Sequence, residues 1–153
     1  MANYAILRTK KLNSWGSVGG SMGHTYRVAG MAPNADPKLL GRNKTLIGNS
    51  QSGVDDIRQR IDQLDGKPRS NAVLCVEHLL TASPSFFENK TLKQIDTWAK
   101  RNISWLEKTY GKENVVHAAL HLDESTPHIV AYVVPEIEGR LNARAIFGGR
   151  EKL

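Results

Sequence analysis

Two short stretches of this 153-residue chain hold side chains whose types and spacing could do chemistry together. In the first, His121-Leu-Asp-Glu-Ser-Thr-Pro-His128, two imidazoles bracket two carboxylates. Imidazole with carboxylate suits Mn, Fe, Co, Ni or Zn, and with phosphate oxygens completing the shell it also suits Mg. The helical H-E-x-x-H zinc pattern is excluded, because no Glu directly follows a His on a helix here. The plainer account, an Asx-type turn between two part-exposed histidines, leaves the gathering of two ligand types on adjoining strands without a purpose.

The second stretch is Ser21-Met-Gly-His24-Thr-Tyr-Arg27. If a helix spans Ser21–Val28, His24 and Arg27 lie on one face and Tyr26 points away from His24. Two cationic groups side by side make a poor packing unit but suit a phosphodiester. The guanidinium can bind the non-bridging oxygens as a nucleophile attacks, while a metal polarises the same phosphate. His24 is one candidate nucleophile and Tyr26 is its rival, since a phenol can also be phosphorylated. Alone, this spacing supports no more than contact with a DNA backbone.

The elements that must position these residues can be read from periodicity. Asn3–Thr9 reads as a strand, Trp15–Gly20 as a glycine-rich turn and Ser21–Val28 as a helix. Residues 30–53, dense in Gly, Pro, Asn and Ser, read as one long loop that orders on DNA. Val54, Ile57, Ile61 and Leu64 recur at helical spacing until Gly66-Lys67-Pro68. Asn71–Leu80 reads as a buried strand. Leu92, Ile95, Ala99, Ile103, Leu106 and Tyr110 mark one face of a helix that Gly111 closes. Asn114–Leu122 and His128–Val134 then read as antiparallel strands joined near Ser125–Pro127, which sets His121 opposite His128. His117 shares that face but lies about 13 Å from His121 at ~3.3 Å per residue, so it is a packing residue or sits behind the ligands. The order implies an α+β domain with helices packed on a mainly antiparallel sheet.

Composition narrows the partner. The net charge is +6, and the excess lies in residues 1–50, where Arg8, Lys10, Lys11, Arg27, Lys38, Arg42 and Lys44 face only Asp36. A polyanion such as a nucleic acid fits that face, with Lys10 and Lys11 at the end of the first strand and Arg42 and Lys44 in the long loop tracking its backbone. One cysteine, Cys75, rules out an internal disulfide. No apolar run is long enough to span a membrane and no secretory signal opens the chain, so the expected location is the cytoplasm. One domain fits 153 residues. The chain ends at GGREKL just as Asn142–Phe147 begins another element, which reads as the N-terminal part of a longer protein.

Taken together, YAILRTKKL, the S-x-x-His24-x-x-Arg27 motif, AVLCVEHLLTASPSFF, TYGKENVVHAALHLDESTPH and VVPEIEGRLNARAIFG resemble the MobV, or Mob/Pre, relaxases of mobilisable plasmids, a branch of the HUH endonucleases. The resemblance spans nearly the whole chain. It implies a five-stranded antiparallel sheet flanked by helices, and nicking of one DNA strand at a plasmid's transfer origin through a covalent 5′-phosphohistidine. His24 matches the attacking histidine, Arg27 its companion, and His121, Glu124 and His128 the metal-site motif. Tyr110 matches a tyrosine proposed to touch DNA, although its place at a helix end favours packing. A missing C-terminal region would meet other conjugation proteins.

One position departs from the family pattern. The name HUH describes two histidines one residue apart, and here Val130 follows His128-Ile129. A third ligand must then come from Glu124, Asp123 or Glu77, with Glu124 favoured, and oxygen in place of imidazole tilts the site toward Mn or Mg. Two competing readings are a non-catalytic origin-DNA-binding module with a degenerate metal site and a metal phosphoesterase for small substrates. The first leaves the H-x-D-E-S-T-P-H cluster unexplained and the second leaves the basic N-terminal third unused.

Overall fold

The computed structural model describes residues 3–28, 30 and 35–148. Its centre is a hairpin of β4 (Val115–His121) and β5 (His128–Val133), whose apolar and alanine-rich strands are buried on both faces. Around it lie β1 (Ala5–Leu12), β2 (Lys44–Ile47) and β3 (Cys75–Ala82) in the order β1-β3-β5-β4-β2, with every pairing antiparallel. The expected α+β class and mainly antiparallel sheet of about five strands are therefore what the chain forms.

Helices cover both faces. On one, α1 (Trp15–Thr25) and α2 (Gly53–Asp62) bury Val18, Met22, Ile57 and Ile61 against Val130 and Tyr132. On the other, α4 (Leu92–Tyr110) buries Ile95, Ala99 and Leu106 against Ala118, Leu120, Ile129 and Ala131. Side chains alternate along a strand, so His117, Ala119 and His121 of β4 and His128, Val130 and Tyr132 of β5 all face α1 and α2. The short α3 (Pro84–Phe87), the hairpin of β6 (Glu136–Ile137) with β7 (Arg140–Leu141), and α5 (Ala143–Phe147) complete the described elements.

Three expectations fail, each for a local reason. The glycine-rich stretch Trp15–Gly20 is not a turn but the first half of α1. Ser14 and Ser17 cap it reciprocally, each side chain accepting from the other's backbone N–H, and burial of Val18 and Met22 offsets the glycine penalty. Glycine also lets the helices close, since a Cβ on Gly53 would lie 2.3 Å from Met22 Sδ. At its other end α1 stops at Thr25 rather than Val28, and Arg27 turns to φ 61°. Finally, the long loop contains a 3-10 helix, Pro37–Arg42, and strand β2. Four residues are too few to show a period, and β2 is held by its pairing with β4, broken by a bulge between Thr45 and Ile47. Residues 31–34 of that loop and the closing 149–153 lie outside the described residues.

Candidate active site

The β4–β5 register places His121 directly across from His128, with His121 Nδ1 3.0 Å from His128 Nε2. The turn between the strands carries Glu124 back so that its Oε2 lies 3.1 Å from His128 Nε2. One ligand atom from each of His121, Glu124 and His128 falls within 4.8 Å of the others. This turn is anchored from outside: Thr81 Oγ1 donates to the Pro127 carbonyl, and the Leu122 N–H donates to Asn43 Oδ1 just after the 3-10 helix.

The donor set fits a divalent cation. His128 Nδ1 lies 3.1 Å from the Thr126 carbonyl, so its N–H donates there and Nε2 faces the Glu124 oxygen. With the imidazole neutral, that Nε2 is an acceptor facing a carboxylate oxygen, a conflict that a cation between them would remove. His121 is 3% exposed and its Nε2 has no hydrogen-bond partner among the described residues. Burial, then electrostatic repulsion from the neighbouring His128 imidazole and the Arg27 guanidinium, lower the His121 imidazole to about 4, which favours the neutral form that binds metal. Neighbouring ligands of an octahedral ion bound at about 2.1 Å stand about 3 Å apart, close to the His121–His128 and His128–Glu124 spacings.

Arg27 occupies a different place from the one its spacing implies. Its side chain is 4% exposed, with Nε and Nη2 donating to Asp123 at 3.0 and 2.9 Å, Nη2 also to Glu124 at 2.9 Å, and Nη1 to the His24 carbonyl at 3.3 Å. Four of the five guanidinium N–H groups are thus committed, leaving one on Nη1. Burial would raise the Asp123 carboxyl, but hydrogen bonds from Arg27 and Asn43 outweigh it and hold it below its ordinary range. With two carboxylates against one guanidinium the cluster keeps a net negative charge, which favours a cation.

His24 sits exposed in the last turn of α1, its imidazole without a partner among the described residues. Its backbone is one guanidinium away from Glu124. Tyr26 turns from the cluster and packs inward on His117 and Thr45. The other proposed ligands are spoken for: Asp123 by Arg27, and Glu77 by Ser21 Oγ, which donates to Glu77 Oε1. Val130 is in the core beside the cluster, paired with Ala119 and Leu79. Tyr110 packs on His78, 3.1 Å from phenol to Nε2. The four basic residues expected on DNA divide between the two sheet edges. Lys10 and Lys11 lie on β1, where Lys11 Nζ donates to the Gly148 carbonyl. Arg42 and Lys44 lie at the β2 edge, and Lys44 pairs with Asp96 at 3.6 Å.

Sequence reasoning missed the residues that seat α1. Ser21 and Thr25, four apart on its inner face, hydrogen-bond the buried Tyr132 phenol at 2.8 and 2.7 Å. The available signal was two hydroxyls at helical spacing inside an otherwise apolar face.

A family profile described as plasmid recombination enzyme matches residues 1–153. A 65 kDa protein of Zymomonas mobilis subsp. mobilis is 34% identical over all of this chain, which covers 27% of that protein. A plasmid recombination enzyme of Streptococcus agalactiae is 32% identical over 97% of this chain, which covers 31% of it. The chain therefore spans less than a third of these two relatives. Among solved structures, the Mn-bound MobM relaxase domain in complex with plasmid pMV158 oriT DNA superposes with a TM-score of 0.86 at 30% identity, covering 97% of this chain and 79% of that one.

Proposed function

The chain belongs to the plasmid recombination enzyme, or Mob/Pre, family, and from that membership we propose that residues 1–153 are the nicking domain of a plasmid-mobilisation relaxase. The observation that carries the reading is the convergence of His121, Glu124 and His128 on one side of Arg27 with His24 on the other. The substrate is one strand at a plasmid's transfer origin, as with the oriT DNA bound by the MobM domain.

In the reaction, a His24 nitrogen attacks the scissile phosphorus in line. A P–N bond forms and the P–O3′ bond breaks. The 3′ oxygen leaves and takes up a proton from solvent, and the 5′ phosphate stays on His24. Attack by a 3′ hydroxyl on the phosphohistidine reverses the step and rejoins the strand. Arg27 orients Glu124 and offers its remaining N–H to a non-bridging oxygen. His121, Glu124 and His128 would hold a divalent metal, Mn or Mg, which when bound polarises the phosphate. Lys10, Lys11, Arg42 and Lys44 would contact the flanking backbone. The domain would act in the cytoplasm, consistent with there being no helix among the described residues long and apolar enough to cross a membrane. Sequence beyond this domain would meet other transfer proteins.

The test is incubation with Mn and a labelled single-stranded oligonucleotide from the cognate origin, followed by denaturing electrophoresis. A metal-dependent protein–DNA adduct is expected, lost in His24→Ala with non-covalent binding retained. No adduct from wild-type protein that binds the DNA tightly would make this an origin-binding module instead.

A further inference from the structure

Between His24 and Arg27 stands a residue that the proposed reaction does not use. The Tyr26 phenol lies 2.5 Å from His117 Nε2 and 3.1 Å from Thr45 Oγ1. His117 is fully buried, and its Nδ1 is 2.9 Å from Asp56 Oδ2. The same carboxylate oxygen accepts from Ser52 Oγ at 2.7 Å. The protons can be assigned in one direction: Thr45 O–H to Tyr26, Tyr26 O–H to His117 Nε2, and His117 Nδ1–H to the Asp56 carboxylate. Burial raises the Tyr26 phenol above its ordinary value, so it remains a donor in this chain.

The chain ties four elements together, namely β2, the turn after α1, β4 and the first turn of α2. It is packed around a point of close approach. Gly48 at φ 81° passes so near that a Cβ there would lie 2.5 Å from Asp56 Oδ2 and 2.6 Å from His117 Nδ1. On the far side of Tyr26, Arg27 holds a left-handed φ of 61°, a conformation that persists in a non-glycine residue only where its surroundings over-determine it. The guanidinium grips Asp123 and Glu124 from one side of that residue. The phenol grips His117 from the other. His117 and His121 stand on the same face of one strand, so the grip refers the turn to the strand that bears a metal ligand.

We propose that the hydrogen-bonded series Thr45, Tyr26, His117 and Asp56 is a positioning device for strand nicking, fixing the turn that carries His24 and Arg27 against the ligand-bearing strand β4. The proposal rests on the nicking function proposed above. Tyr26 and His117 act in it through His24 and Arg27, without touching the DNA phosphate themselves.

The test compares wild type with Tyr26→Phe, which removes one oxygen and keeps the ring, in single-turnover nicking of a cognate-origin oligonucleotide at saturating DNA and Mn. The expected result is a nicking rate at least tenfold lower, with DNA dissociation constant and Mn affinity each within threefold of wild type. His117→Gln, which still offers an oxygen to the phenol, should keep more of the rate than His117→Phe. Should Tyr26→Phe fail to fold by circular dichroism, Thr45→Val reports on the same phenol and should slow nicking severalfold. A Tyr26→Phe rate equal to wild type, or a loss explained by weaker DNA or Mn binding, overturns the proposal and leaves the function intact. Adduct that survives in His24→Ala but vanishes in Tyr26→Phe overturns it too, by making Tyr26 the nucleophile. Wild-type protein that does not nick at all overturns the function and this proposal together.

Discussion

The Arg27 guanidinium lies between two carboxylates that would otherwise share a water-poor corner without a counter-charge. Removing one member of a buried pair costs about 3–5 kcal/mol, because the charge left behind has no solvent to replace its partner. Arg27→Ala should therefore lower urea-unfolding stability by about 3 kcal/mol, and adding Asp123→Ala should return part of it. A single variant as stable as wild type would show that the pair bears no structural weight. Arg27→Lys keeps the charge but not the fork, so it cannot serve Asp123 and Glu124 together. If Glu124 is a metal ligand, misorienting it in this way should cost on the order of tenfold in metal affinity, which Mn titration would read. His121, Glu124 and His128 were legible as a cluster because all lie within one hairpin, where register and turn bring them together. The contacts of Arg27 were not. They depend on where the helix stops, and a helix drawn to Val28 points its side chain elsewhere.

Among the elements, α1 and β2 differ most from their sequence signals, and both are held by partners distant along the chain. Helix α4 shows the opposite case: a regular apolar stripe, a Thr91–Gln94 capping box and a terminal Gly111 at φ 95° all agree. Two glycine substitutions separate these situations. Gly19 in α1 has nothing within 4 Å of the position a Cβ would take, so Gly19→Ala should stabilise by roughly 0.5–1 kcal/mol through helix propensity. Gly48 combines φ 81° with approaches of 2.5 and 2.6 Å to Asp56 and His117. Gly48→Ala should then cost on the order of 2 kcal/mol, from left-handed strain and displaced neighbours. Equal unfolding midpoints for the two variants would contradict this account of the β2–α2 connection. Nothing in the local sequence marks Gly48 out, since its neighbours arrive from α2 and β4.

For the molecule as a whole, the sign and size of the charge were legible but its layout was not, because strand order decides which residues share an edge. Lys10 and Lys11 lie at one side of the sheet, Arg42 and Lys44 at the other. A strand touching both groups would have to span the sheet from one edge to the other. Lys10 and Arg42 have no ion-pair partner among the described residues, whereas Lys44 is held by Asp96. If both edges contact DNA, Lys10→Ala and Arg42→Ala should each reduce the slope of log affinity against log salt by about 0.7, the single-strand value per phosphate. Lys44→Ala should change it less, and equal slopes in all three variants would remove these residues from the DNA path. The distribution of the site along the chain also sets a schedule. Ribosomes release His24 and Arg27 nearly a hundred residues before His121 and His128, and β2 meets its partner strand only when β4 emerges. An incomplete translation product that stops short of the β4–β5 hairpin would carry His24 and Arg27 without His121, Glu124 and His128, so the candidate site is complete only with the last strand of the sheet to be synthesised.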